Sequence, residues 1–254
     1  MRTIVVTGAG NGIGRATALK FAANGDHVVA IDRDFSDGDG SQLPETIQQV
    51  VCDVQQVDLL QQIVADAARD RGELHALINN AGTGLVKAVP DVEEADWDNV
   101  LNVNLKAPFF AARAAILQMS QQESGGCIVN VASNAGLLPR SHDPVYSISK
   151  MALVSMTRSL ALCHSVDRIR INCVCPGPVE RTQMIEENFP DGCDRQQVTR
   201  QLISASPLAR AWDRMVRPQE VADSIFYLCS DAAHMITGTA IAIDGGKSLG
   251  VPPR

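Results

Sequence analysis

The chain has 254 residues, 45% of them hydrophobic and 20% charged, an ordinary balance for a globular protein with one large domain or two small ones. A formal net charge of -7 with no cluster of Lys and Arg argues against a nucleic-acid partner. No apolar run approaches the roughly 18 residues that cross a bilayer, so no membrane partner is expected.

The first predicted element is a strand over Thr3–Thr7, reached directly from the N-terminus without an apolar leader; this predicts a cytoplasmic location. It leads through Gly8-Ala9-Gly10-Asn11-Gly12-Ile13-Gly14 into a helix over Gly12–Asn24. Glycines between a strand and a helix allow a tight turn and let backbone N–H groups approach a pyrophosphate. The positive end of the helix then faces that charge. A turn needed only for close packing is the plainer alternative. A second strand over His27–Ile31 ends at Asp32, whose carboxylate can accept hydrogen bonds from both adenosine ribose hydroxyls and would repel a 2′-phosphate. Arg33 could pair with such a phosphate, although a solvated surface arginine is the simpler reading, so NAD is favoured over NADP. The crossover Asp32–Thr46, rich in Gly and Asp and interrupted by Pro44, should be irregular, with at most one helical turn.

A strand over Gln48–Cys52, a helix over Gln55–Arg71 and a strand over Ala76–Asn79 follow, then a long helix over Ala95–Gln121 and a strand over Cys127–Val131. The next helix, Pro144–Ser165, carries Tyr146 and Lys150. Spacing of four puts both on one helix face, and an ammonium beside a phenol lowers the phenol's pKa. A phenol tuned this way can take a proton from an alcohol or return one to a ketone oxygen. Read alone, the pair is equally a half-buried tyrosine with a lysine stem packed along it. A strand over Ile169–Val174 precedes a polar stretch, Val179–Arg217, which contains Pro190, Gly192 and Pro207. Its length and irregularity predict an active-site lid with short helices. A helix over Pro218–Ser230 and a strand over Ala240–Asp244 complete the order.

Strands apolar on both faces, alternating with helices, predict a doubly wound parallel α/β sheet of about seven strands in one domain spanning residues 1–254. The seven cysteines (Cys52, Cys127, Cys163, Cys173, Cys175, Cys193 and Cys229) show no metal-ligand spacing and read as small buried hydrophobes; no metal is expected.

Together these residues resemble the short-chain dehydrogenase/reductase family in its single-domain form. The matching motifs are Thr7-Gly8-x-x-x-Gly12-x-Gly14, Asp53, Asn79-Asn80-Ala81-Gly82, Asn104, Ser133, Tyr146 with Lys150, Pro176-Gly177, Thr237-Gly238 and Asp244-Gly245-Gly246. The resemblance implies a Rossmann fold and an NAD-dependent enzyme that interconverts secondary alcohols and ketones. It implies that Gly8, Asn11, Gly12, Ile13 and Gly14 hold the dinucleotide and that Asp53, with Val54 beside it, meets the adenine. Asn80, Ala81 and Gly82 would pass the adenosine ribose, Pro176, Gly177 and Val179 would also bind the cofactor, and Ile13 and Val179 would touch it by backbone N–H groups. Tyr146 would be the acid/base and Lys150 would bind the nicotinamide ribose. Ser133 would steady the substrate oxygen, and Asn104 would hold a water that links Lys150 to solvent. Ser133 is not read as a hydrolase nucleophile, because no Gly-x-Ser-x-Gly elbow surrounds it. The family often has a threonine where Arg181 stands here, so Thr182 is expected to take that carboxamide-binding role through a one-residue shift.

The stretch Asn134, Leu137, Leu138, Pro139, Arg140, His142 and Val145 should line the substrate pocket. Arg140, His142 and Arg181 are candidates to clamp a substrate carboxylate, while a rim arginine paired with Asp143 or solvent is the plainer reading of Arg140. Some stretches resemble 2,3-dihydro-2,3-dihydroxybenzoate dehydrogenases and others 3-hydroxybutyrate dehydrogenases, which implies a small hydroxy acid or cyclic diol acid as substrate. A sugar, steroid or acyl-thioester ketone is the alternative, and a non-catalytic NAD-binding protein the reading from another class. The family also implies a homotetramer built through the two long helices, where Ala107, Ala111, Ala112, Ala114 and Ala115, with Ala152, Ser155 and Ser159, would allow close packing between subunits or simply pack on the sheet.

Overall fold

Alternate residues of each central strand feed two different cores, which is why these strands are apolar throughout. The computed structural model describes residues 1–36, 43–187 and 192–250. On β1 (Thr3–Thr7), Val5 packs into one core while Ile4 and Val6 pack into the other. β2 (His27–Asp32) repeats the pattern, with Val29 and Ile31 on the first side and Val28 and Ala30 on the second. β3 (Ile47–Val51), β4 (Ala76–Asn79), β5 (Gly126–Val131), β6 (Ile169–Pro176) and β7 (Ala240–Ile243) complete a seven-stranded, all-parallel sheet of order β3-β2-β1-β4-β5-β6-β7. The order reverses between β1 and β4, and ligands of such sheets bind outside the strand ends at that switch point.

On the second face lie α1 (Gly12–Ala23) and α9 (Pro218–Leu228), joined by Phe21 and Phe226 with ring centroids 5.2 Å apart. On the first face lie α2 (Val57–Arg71) and α4 (Ala107–Met119), followed in the chain by α5 (Pro144–His164). Ala107, Ala111, Ala112, Ala114 and Ala115 are all buried in this core, so they pack within the chain's own fold. The outer sides of α4 and α5 instead expose Phe109, Leu117, Ile148, Met151 and Leu162.

The expected helix Ala95–Gln121 is found as α3 (Glu94–Leu101), a π-turn over Asn102–Lys106 and then α4. The wider turn falls on Asn104, which is wholly buried; π-bulges commonly mark functional positions. Among the described residues this continuous helix, Glu94–Met119, is long and apolar enough to cross a bilayer, with a mean hydropathy of 1.2, contrary to the expectation that no run came near that length. Half of that window is buried inside the protein, as befits a core helix.

Residues 37–42 of the expected irregular crossover and residues 188–191 of the expected lid lie outside the described residues. The described part of 179–217 carries the short helices expected there: α6 (Gln183–Glu187), α7 (Arg195–Ser204) and α8 (Pro207–Trp212). Five of the cysteines are buried, whereas Cys163 is exposed and Cys193 half-buried, which departs from the reading of all seven as core residues.

Candidate active site

The switch point is held open by a small set of polar contacts between neighbouring strand ends. At the end of β1, Thr7 Oγ1 accepts hydrogen bonds from the backbone N–H of Asn80 (3.0 Å) and of Ala81 (3.1 Å). Asn80 Nδ2 donates in return to the carbonyls of Thr7 and Gly8 at 3.0 and 2.9 Å. Gly8 has φ +65°, a left-handed conformation that glycine adopts at least cost, and a Cβ there would lie 2.8 Å from Ala81 Cα. A Cβ on Gly14 would lie 1.9 Å from the Gly8 carbonyl oxygen, so only glycine lets α1 close against the turn. At the tip of β2, Asp32 Oδ2 accepts from Gly10 N–H at 2.7 Å. After β3, Asp53 Oδ1 accepts from Gln55 N–H at 2.9 Å.

These elements border a cleft of about 360 Å³. Gly8, Asn11, Gly12, Ile13, Asp32 and Arg33 line its first part, Asp53, Val54, Asn80, Ala81 and Gly82 its side, and Pro176, Gly177, Val179 and Thr182 its opposite wall. Thr182 stands over the glycine turn, its Cγ2 3.2 Å from where a Cβ on Gly12 would be. Gln183 Oε1 accepts from Asn11 Nδ2 at 3.0 Å, tying α6 to the turn. Gly14 is not in the cleft wall; it acts by packing behind it.

Ser133, Tyr146 and Lys150 line the same cleft. Ser133 follows β5, where its Oγ caps the next turn by accepting from Ala135 N–H at 3.1 Å. Tyr146 and Lys150 lie one turn apart on α5, with Lys150 Nζ 5.8 Å from the tyrosine ring centroid. Lys150 is 3% exposed, and its ammonium donates to the Val131 carbonyl at 3.0 Å. Asn104 is not in the cleft wall. It sits behind it, bonding both the N–H and the carbonyl of Thr83 at 2.9 Å and Ser149 Oγ at 3.0 Å. A Cβ on Gly82 would be 3.3 Å from Asn104 Oδ1 and 3.4 Å from Lys150 Nζ, so the two side chains meet behind that glycine.

The electrostatics differ from the expectation that an ammonium would lower the phenol's pKa. Burial pushes Tyr146 up, opposed by the nearby Ser133 hydroxyl and by the Arg140 guanidinium. Burial also brings Lys150 down to about 8. Lys150 is turned towards the Val131 carbonyl, 5.8 Å from the ring centroid, and is not among the groups that shift Tyr146, which accounts for the difference. The Tyr146 hydroxyl points at Met184 Sδ on α6, 3.8 Å away.

The substrate candidates separate. Arg140 lines the cleft and pairs with the buried Asp143 (Nη2 to Oδ2, 3.1 Å), the plainer of its two readings. His142 is exposed outside the cleft, its Nε2 2.9 Å from Arg140 Nη2. Arg181, at φ +56°, is also exposed and borders a separate depression with Arg15 and Arg217. Asn134 lines the cleft, whereas Leu137, Leu138, Pro139 and Val145 do not; Leu137 packs instead on the Ala132–Leu153 cluster. The sequence reading missed Met184 and Lys247, both in the wall. Lys247 follows the last strand, and only the position of β7 beside β6 brings it there.

Likeness to known proteins extends over nearly the whole chain. The family model for enoyl-(acyl carrier protein) reductases matches residues 8–248. A 3-oxoacyl-[acyl-carrier-protein] reductase of Thermotoga maritima is 34% identical over 96% of this chain and 97% of its own length. A meso-2,3-butanediol dehydrogenase of Serratia marcescens is 32% identical over 97% of this chain and 94% of its own. The solved structure of ElxO with NADP bound superposes with a TM-score of 0.87 at 26% identity, covering 98% of this chain and 99% of that one. Similarity this extensive, on a parallel sheet of matching form, makes the chain a member of the short-chain dehydrogenase/reductase family, and so an alcohol/ketone oxidoreductase that works with a nicotinamide cofactor.

Proposed function

We propose that the protein is an NAD-dependent dehydrogenase of a secondary alcohol on a small hydroxy acid or cyclic diol acid, with Tyr146 as acid/base. The observation that carries this reading is that Ser133, Tyr146 and Lys150 open onto the same cleft as the glycine turn and Asp32. The residues present fit a dinucleotide. The turn offers bare backbone where a Cβ on Gly8 or Gly12 would intrude, and Asp32 presents a carboxylate at the strand tip. Gly8, Asn11, Gly12 and Ile13 would hold the pyrophosphate, with Gly14 closing the helix behind them. Asp32 would bind the adenosine ribose, and Asp53 with Val54 the adenine. Asn80, Ala81 and Gly82 would flank the ribose, and Pro176, Gly177, Val179 and Thr182 the nicotinamide.

When bound, the nicotinamide supplies the hydride acceptor. The chain's own part is to orient the alcohol and move its proton. Tyr146 accepts the hydroxyl proton during oxidation and returns it during reduction. Ser133 donates to the substrate oxygen as charge develops there. Lys150 binds the ribose hydroxyls, and Asn104 holds the Thr83 segment and α5 in register behind it. Asp32 favours NAD; Arg33 in the cleft wall and the likeness to ElxO, solved with NADP bound, speak for NADP. The similarity to a 3-oxoacyl-[acyl-carrier-protein] reductase supports an acyl-thioester ketone as the second substrate class. We also place the protein in the cytoplasm as a homotetramer, joined by the exposed apolar faces of α4 and α5.

Incubation with NAD and a panel of secondary alcohols, followed by nicotinamide absorbance, tests the reading. Tyr146→Phe should lower turnover by about 100- to 10,000-fold while NAD still binds. Undiminished oxidation by that variant would overturn it.

A further inference from the structure

We propose that Lys247 selects the substrate: its ammonium, delivered by the segment after β7, binds a carboxylate on the alcohol beyond Tyr146. This rests on the dehydrogenase reading above and assigns a specificity residue to it. Arg140, Asp143 and Lys247 line one cleft together with Tyr146 and Ser133. The Arg140 guanidinium is already committed to Asp143 at 3.1 Å, so those two charges largely cancel. Asp143 is 4% exposed, and its Oδ1 has no hydrogen-bond partner among the described residues. Lys247 Nζ has no ion pair or hydrogen bond among the described residues; Asp244 and Asp143 act on it only through space, so its ammonium has no direct partner.

The turn that carries Lys247 is built without using its side chain. Asp244, 3% exposed, accepts from Gly246 N–H at Oδ1 (2.9 Å) and from Ser248 N–H at Oδ2 (2.8 Å). Its carbonyl accepts from Ser206 Oγ at 2.6 Å, locking the turn to the start of α8. Gly245 and Gly246, at φ +62° and +88°, supply the left-handed conformations. The ammonium is therefore pre-positioned by neighbours and free for a ligand. Burial first, and then the Arg140 guanidinium, lower the Lys247 pKa, while Asp244 and Asp143 raise it. A single ammonium without a direct partner suits a carboxylate better than a phosphate ester, which carries nearly two negative charges near neutral pH. Around these charges Leu85, Val86, Met184, Ile185 and Leu202 give the cleft an apolar wall, which fits an apolar body bearing the acid.

The test compares matched acids and methyl esters, 3-hydroxybutanoate and trans-4-hydroxycyclohexanecarboxylate among them, with NAD, in the wild type, Lys247→Met and Lys247→Arg. The wild type should prefer the acid. Lys247→Met should reduce the acid-to-ester ratio of kcat/KM by about 10- to 100-fold through the KM of the acid, and Lys247→Arg should restore most of it. A ratio indifferent to Lys247→Met, or a wild type that prefers the ester, overturns the assignment. Neutral alcohols such as 2-butanol and cyclohexanol distinguish the two levels. If they are oxidised while the ratio stays indifferent, only the Lys247 assignment fails. If no alcohol of any kind is oxidised, the dehydrogenase reading fails and takes this one with it.

Discussion

Replacing Lys150 by methionine should destroy activity and yet stabilise the fold at neutral pH. Lys150 is 3% exposed, and burial brings its pKa from 10.5 down to about 8. At about 1.36 kcal/mol per pH unit, holding that charge inside the protein costs about 3 kcal/mol. Methionine has a similar length and no charge, but it abandons the 3.0 Å bond to the Val131 carbonyl, a loss of about 1 kcal/mol. The net expectation at pH 7 is a variant more stable by about 2 kcal/mol. Between about pH 8 and 10.5 the unfolded chain keeps the Lys150 proton while the folded chain has lost it. Wild-type stability attributable to this group therefore rises with pH across that window, and below it the full cost applies. The variant lacks this rise, so its advantage should shrink and then reverse by pH 10.5. Urea unfolding of both chains at pH 7, 9 and 10.5, at one protein concentration, measures the difference and cancels the thiols and Lys247 that titrate nearby. A variant no more stable than wild type at pH 7, with a gap unchanged at high pH, refutes the reasoning.

Gly14→Ala would force a Cβ to 1.9 Å from a backbone oxygen, so thermal unfolding should show a loss of about 2–3 kcal/mol and NAD titration a much weaker affinity. Asn104→Ala removes three hydrogen bonds, two part-buried to Thr83 and one buried to Ser149; denaturant unfolding should register a loss of about 2–4 kcal/mol, and kcat should fall with it. Asp32→Ala removes the carboxylate at the β2 tip, and the ratio of kcat/KM for NADP over NAD should rise by about tenfold or more. An unchanged cofactor ratio would mean that Arg33 already offsets that charge.

Much of the fold was legible because it follows from short-range rules. Val5 between Ile4 and Val6 announces a strand covered on both sides, and Gly8 through Gly14 between a strand and a helix announces the turn. Tyr146 and Lys150 needed only the pitch of one helix to be placed together. The tertiary structure decided what depends on strand order and on burial. The long helix read as regular, but the π-turn that buries Asn104 arises from its contacts with Thr83 and Ser149, 21 and 45 residues away. Arg140 and Arg181 looked alike on paper, and the chain's path sends one into the cleft and the other to its outer side. Lys247 was invisible as a site residue, because β7 lies at the sheet edge beside β6 only in the assembled order. Local periodicity acts over a few residues, whereas the potential around a phenol or an ammonium is set by whatever the whole sheet brings within reach and shields from water.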